Sequence, residues 1–302
     1  MSNKETIYVI AGPTAGGKSA HALKLAEEKN GVIINADSMQ VYDGLHLLTA
    51  QPSEEDLKQV PHKLYNALHP NDACSAGNWR EMAEPVIHQT LLEGKTPIIV
   101  GGSGLYIKAL IDGLSPIPDI PQNVRDQVSA LQQELGNPQF YDALHERDPI
   151  MAERLHPFHT ARLVRAYEVI EATGKSLADW QNEPLIGPPE TWSFNISLIL
   201  PERETLYQRC NDRFEWMMEN GAVEETESFD QKVQDGEIAQ NVPLLKALGF
   251  SALQEHIHGS LSKDEAITKA QGQTRQYAKR QVTWFKHQIK KQKNVAHISI
   301  LD

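Results

Sequence analysis

Three runs in the first third of the chain are apolar without alternation: Ile7-Tyr8-Val9-Ile10-Ala11-Gly12, Gly31-Val32-Ile33-Ile34-Asn35-Ala36-Asp37 and Thr96-Pro97-Ile98-Ile99-Val100-Gly101-Gly102. A strand with one wet face alternates apolar and polar residues, so unbroken runs of this length predict strands covered on both faces. Helical spacing fills the gaps, from about Lys18 to Lys29 and from Asn78 to Glu93. Strands alternating with helices predict an α/β fold, a parallel sheet covered by helices. Trp192 to Leu200 is again apolar and β-prone, and Val295 to Leu301 is read as a last strand.

The texture changes near Leu114. Ser115-Pro116-Ile117-Pro118-Asp119-Ile120-Pro121 is a proline-rich turn, and Glu183-Pro184-Leu185-Ile186-Gly187-Pro188-Pro189 is a second breaker cluster. Between them, residues 122 to about 182 read as helices only, punctuated by Gly136-Asn137-Pro138 and His156-Pro157. The expectation is a core domain of residues 1–114 and 192–302 carrying an all-helical insertion, 115–191. Near the C-terminus, Ala270, Thr274, Ala278, Val282, Phe285 and Ile289 recur at three- and four-residue spacing, which predicts an amphipathic helix.

Composition narrows the setting. The 302 residues are 40% hydrophobic and 23% charged, with no run of eighteen apolar residues, so no membrane span is expected. Met1-Ser2-Asn3-Lys4-Glu5-Thr6 lacks the zones of a secretory signal. Two cysteines, Cys74 and Cys210, make no disulfide framework or four-cysteine zinc site, and the twelve histidines show no metalloprotease spacing. A cytoplasmic protein is expected. The net charge is −11, yet residues 266–293 hold six lysines, two arginines and no acid. A +8 segment on an acidic chain predicts a local face for a polyanion. Arg275, Lys279 and Arg280 are its candidate phosphate contacts, against the alternative of a solvated helix end.

Gly12-Pro13-Thr14-Ala15-Gly16-Gly17-Lys18-Ser19 matches G-x-x-x-x-G-K-[ST] in full, after a strand and at the start of a helix. Glycines let backbone N–H groups turn onto phosphate oxygens and the helix N-terminus adds partial positive charge. Lys18 then reaches the terminal phosphate and the Ser19 hydroxyl holds Mg²⁺. This loop predicts a di- or triphosphate ligand but not which bond breaks. The third strand ends in Gly101-Gly102-Ser103-Gly104, without the carboxylate a phosphoryl-transfer enzyme commonly places there. A diphosphate leaving group in a substitution at carbon is the other reading. Asp37, at the end of the second strand, faces the ligand edge of an open α/β sheet and is either a proton acceptor or a helix cap.

These residues resemble the bacterial tRNA dimethylallyltransferases. The phosphate loop and Ile34-Asn35-Ala36-Asp37-Ser38-Met39-Gln40-Val41-Tyr42 are joined, in family order, by Val60-Pro61-His62 and Val100-Gly101-Gly102-Ser103-Gly104-Leu105-Tyr106. Arg165-Ala166-Tyr167-Glu168-Val169, then Arg203, Arg209 and Arg213-Phe214, and Ala278-Lys279-Arg280-Gln281-Val282-Thr283-Trp284-Phe285 complete the set. The resemblance implies a P-loop kinase-like core and a helical insertion embracing the anticodon stem-loop; a monomer is expected. It also implies Mg²⁺-dependent transfer of a dimethylallyl group from dimethylallyl diphosphate to N6 of the adenosine 3′ of the tRNA anticodon. Thr14 through Ser19 would cradle the diphosphate, Asp37 would serve the adenine amine, and Arg203 and Arg209 would clamp the leaving group. Asp37, Ser38, Met39, Gln40 and Ser103 would meet the entering nucleotide, and Arg162 and Arg165 the tRNA. Departures from the family pattern fall at His46 to Pro52, where Gln51 stands for a usual lysine, at His159-Thr160-Ala161-Arg162 and at Gly249-Phe250-Ser251-Ala252. Two alternatives share the core: an AMP isopentenyltransferase, and a small-molecule kinase using ATP, which would have no use for the basic helix.

Overall fold

The computed structural model describes residues 4–290 and 293–302. Met1 to Asn3 and Lys291, one of the eight basic residues of the C-terminal segment, lie outside the described residues. In chain order the elements are β1 (Glu5–Ala11), α1 (Lys18–Lys29), β2 (Gly31–Asn35), α2 (Glu54–Gln59), β3 (His62–Lys63), α3 (Ala76–Leu92), β4 (Thr96–Gly101) and α4 (Gly104–Asp112). Then follow α5 (Gln122–Arg147), α6 (Pro149–Ala152), α7 (Thr160–Thr173), α8 (Leu177–Asn182) and β5 (Trp192–Ile199). The chain ends with α9 (Arg203–Glu219), α10 (Ala222–Gln234), α11 (Phe250–Ile257), α12 (Lys263–Gln288) and β6 (Val295–Leu301).

The six strands form one parallel sheet in the order β3-β2-β4-β1-β5-β6. Every residue of β2 is buried, as the unbroken apolar run requires. Ile7, Val9, Ile34, Trp79, Ile107 and Phe194 pack one face of the sheet, and Ile10, Ala22, Ala26, Ile33 and Ile98 the other. α1 can lie close because its buried residues are only Ala22 and Ala26. β2 stops at Asn35, two residues short of the expected end: the Ala36 amide still donates to the Val100 carbonyl, 2.7 Å, and the chain then turns away. The two-residue β3 has no readable hydrophobic run and was not expected from the sequence. A satellite core joins Val41, Tyr42, Leu45 and Leu48 to α9, α10 and α11 through Phe214, Phe229 and Phe250.

Two compact units are resolved, Met1–Asp112 with Pro188–Asp302, and Gly113–Gly187. The second is helical, with its own core of Phe140, Leu144, Leu163, Ala166 and Val169. In it Gly136 leaves helical geometry (φ 67°, ψ 169°), so α5 is two segments meeting at a kink where the sequence expected a break. Buried Asp148 accepts from the Ser176 hydroxyl and the Met151 amide, tying α5 to the turn before α8. Among the described residues no helix is long and apolar enough to cross a membrane.

Candidate active site

The loop between β1 and α1 is shaped by backbone conformation before any side chain acts. A β-carbon on Gly12 would run into the Ile199 carbonyl of β5, so the loop can hug the sheet edge only with glycine there. Ala15 (φ 57°) and Gly17 (φ 96°) are left-handed, which turns successive amides inward as a phosphate nest. The Lys18 ammonium folds back to donate to the Pro13 carbonyl, 2.6 Å. Burial pushes its pKa down to about 8; Asp37 opposes that shift and Arg213 adds to it.

Two residues absent from the expected site complete this loop. Arg213 donates through Nη2 to the Thr14 hydroxyl, 2.6 Å. Its pKa is lowered, mainly by burial, with Cys210 and Asp37 pulling the other way. Gln281 accepts from the Thr14 amide, 2.8 Å, and donates to the Gly102 carbonyl, 2.9 Å. One carboxamide on α12 thereby fastens the phosphate loop to the end of β4. The Arg209 guanidinium reaches the Gly16 carbonyl at 3.4 Å. Lys18, Ser19, Asp37 and Arg213 line one cavity of about 140 Å³ together with Gln40 and Tyr65.

Asp37 enters that cavity from a rigid turn. Buried Asn35 accepts from the Asp37 amide, 2.8 Å, and donates to the carbonyls of Asp37 and Leu64. Asp37 Oδ1 accepts from the Met39 amide, 3.0 Å. No helix begins there, so the carboxylate caps a turn through one oxygen rather than a helix. Oδ2 lies toward Gly102, 3.4 Å from where a β-carbon on that glycine would stand. The Ser103 hydroxyl accepts from the Ser38 amide, 2.8 Å, and lies 3.1 Å from the Ser38 hydroxyl. Ser38 and Ser103 open onto a second cleft of about 340 Å³, walled by Tyr277, Arg280 and Trp284 of α12.

The remaining expected residues separate. Gln40 spends its carboxamide N–H groups on the Thr49 and Ala50 carbonyls, both 2.8 Å, holding the 45–52 loop against the cavity. Met39 packs on the satellite core. Arg203 is not brought to the phosphate loop: it lies exposed over the Tyr207 ring at 5.1 Å, in a different cleft shared with Lys279 and Lys286. Arg275 is half-buried and donates to Asn211 of α9, 2.5 Å. Arg280 lies over Tyr277 at 5.6 Å, and Lys279 is exposed. In the helical unit Arg162 is exposed and Arg165 contacts Glu168 at 3.4 Å. Among the described residues no cluster of three or more His, Cys, Asp or Glu could cage a metal. The Ser19 hydroxyl lines the cavity beside Lys18, and a magnesium ion, if bound there, would be held by that hydroxyl together with ligand phosphate oxygens and water, a donor set that suits magnesium.

Comparison with known proteins shows the family to which the chain belongs. Residues 40–288 match the IPP transferase family. The chain is 47% identical to a tRNA dimethylallyltransferase of Paramagnetospirillum magneticum, over 95% of this chain and 90% of that protein. It is 46% identical to one of Agrobacterium fabrum, over 93% of each. Its fold resembles the crystal structure of the Bacillus halodurans tRNA isopentenylpyrophosphate transferase, with a TM-score of 0.66, 31% identity and coverage of 98% and 91%. It also resembles a eukaryotic dimethylallyltransferase acting on tRNA, with a TM-score of 0.80, 26% identity and coverage of 93% and 70%. The chain belongs to the IPP transferase family, among the bacterial tRNA dimethylallyltransferases.

Proposed function

We propose that this protein transfers a dimethylallyl group from dimethylallyl diphosphate to N6 of the adenosine 3′-adjacent to the tRNA anticodon, releasing diphosphate. The observation that carries the reading is a single cavity shared by the cations of Lys18 and Arg213 and the carboxylate of Asp37. The first two suit a departing diphosphate and the third an amine losing a proton.

The exocyclic amine of adenine is conjugated to its ring and is a weak nucleophile, so stabilising the leaving group matters most. The amides of Thr14 to Ser19, with Lys18 and Arg213, hold the diphosphate and take up the charge that grows as the allylic C1–O bond breaks. Arg209 adds charge at the rim. N6 forms its bond to C1 and its proton passes to Asp37 Oδ2, the oxygen not engaged by Met39. Magnesium, when bound at Ser19, neutralises diphosphate charge. The clamp assigned to Arg203 passes in this reading to Arg213, because Arg203 faces another cleft. The adenosine arrives through the cleft of Ser38, Ser103 and Trp284, flipped from its loop, at modest cost in a single-stranded segment. The core domain supplies the chemistry and the helical unit, with Arg162 and Arg165, part of the RNA surface.

The test offers labelled dimethylallyl diphosphate and Mg²⁺ with unmodified tRNA, AMP and ATP in parallel. Label in tRNA, lost on chelation with EDTA and restored by Mg²⁺, is the expected result. Label in AMP alone would make the protein an adenylate isopentenyltransferase. ATP turnover with neither acceptor labelled would make it a kinase.

A further inference from the structure

The helical unit carries an aromatic surface that neither its core nor the catalytic cavity uses. Between α6 and α7 the chain runs His156-Pro157-Phe158-His159, and Phe158 is 68% exposed. His156 and Phe158 lie with ring centroids 5.7 Å apart at 41°, and His156 and His159 at 5.4 Å and 48°. Hydrogen bonds order the turn and the His156 ring. His156 Nδ1 accepts from the Phe158 amide, 3.3 Å, the His159 amide donates to the His156 carbonyl, 2.9 Å, and Pro157 fixes one backbone angle between them. On either side Leu155 and Leu163 are buried in the unit's core, and the Thr160 hydroxyl is bonded to Asn137 of α5.

An exposed, pre-ordered group of rings is what unpaired bases stack on, and it loses little side-chain entropy when they do. The charge beside it points the same way: Arg154, in the preceding turn, and Arg162, at the start of α7, are exposed, against Glu153. We propose that Phe158, flanked by His156 and His159, is a stacking platform for unpaired bases of the RNA acceptor. This rests on the reading of tRNA as acceptor and adds a contact that positions the loop apart from the reacting atoms.

The test measures binding of an unmodified 17-nucleotide anticodon stem-loop to the whole protein and to Phe158→Ala, Phe158→Trp and Phe158→Leu. The alanine variant is expected to bind roughly tenfold more weakly, the cost of one lost base–ring stack. Tryptophan should restore binding and leucine should not, while the KM for dimethylallyl diphosphate stays unchanged in all three. Equal binding by wild type and Phe158→Ala would overturn the platform, and so would full rescue by leucine, which would mean a merely apolar contact. Failure of the wild type itself to bind the hairpin would instead remove the tRNA reading, and the platform with it.

Discussion

Lys18 and Arg213 show what a phosphate loop does to its cations. Both are pushed toward their neutral forms by burial, and Lys18 falls to about 8. An incoming diphosphate reverses this, because a bound anion favours the ammonium. Below pH 8 the lysine is already charged and binding needs no extra proton. Above pH 8 each diphosphate must bring a proton with it, so affinity should fall about tenfold per pH unit until the lysine of the complex itself titrates. Calorimetric titration with dimethylallyl diphosphate, whose own phosphate groups do not titrate between about pH 7.5 and 9.5, reads that slope, and a flat profile would refute the shift. Arg213→Ala should lower kcat about 10²- to 10³-fold, the usual cost of removing one donor from a developing anion. Arg203→Ala should leave kcat within about twofold, since its side chain lies in another cleft. Part of this was legible in the sequence. At about 100° per residue Arg213 lies only about 40° around α9 from Arg209, whereas Arg203 lies about 120° away, so helical spacing alone favoured the later pair.

At the level of elements, the phosphate loop, the first strand and α1 could be read from residue types, because their geometry is local. Gln281 could not. It sits in the buried stripe of α12 with Ala270, Thr274, Ala278 and Phe285, where the sequence pattern favoured the neighbouring Val282. Its partners Thr14 and Gly102 are far away in the chain, and the assembled sheet brings them to α12. Gln281→Ala leaves a loop amide and a strand-end carbonyl without their partner, and should cost about 1–3 kcal/mol of stability. Denaturant melts would measure that loss, and diphosphate affinity should fall with it. The joint between α10 and α11 makes a separate prediction. Burial raises the Asp230 pKa, but hydrogen bonds from Gln254, His258 and Gln234 outweigh it, and the carboxyl ends below its ordinary value. A lowered carboxylate stabilises the fold above its unfolded pKa, and that contribution disappears as pH falls through the folded one. The melting temperature should therefore drop below about pH 4, and Asp230→Asn should flatten that acid limb.

For the whole molecule, alternating strands and helices foretold a parallel α/β sheet, but not its order. That order depends on crossovers, and the two-residue β3 at its edge has no signature of its own. Charge asymmetry was legible outright and has a whole-molecule consequence. An acidic chain with basic residues concentrated near its C-terminus should bind RNA with a steep salt dependence, each phosphate neutralised contributing close to one unit of log–log slope. Binding of the small diphosphate substrate, desolvated in its cavity, should respond far less. Filter binding of tRNA from about 50 to 200 mM salt would compare the two.

In the proposed reaction Asp37 takes the proton of the attacking amine beside a leaving group held by the phosphate loop. Single-turnover transfer to tRNA by wild type and Asp37→Asn, with diphosphate affinity measured on the same preparations, tests it most directly. The rate is expected to be lower by about 10²- to 10⁴-fold with affinity for diphosphate retained, the range for loss of a general base. Transfer by Asp37→Asn at the wild-type rate would contradict it.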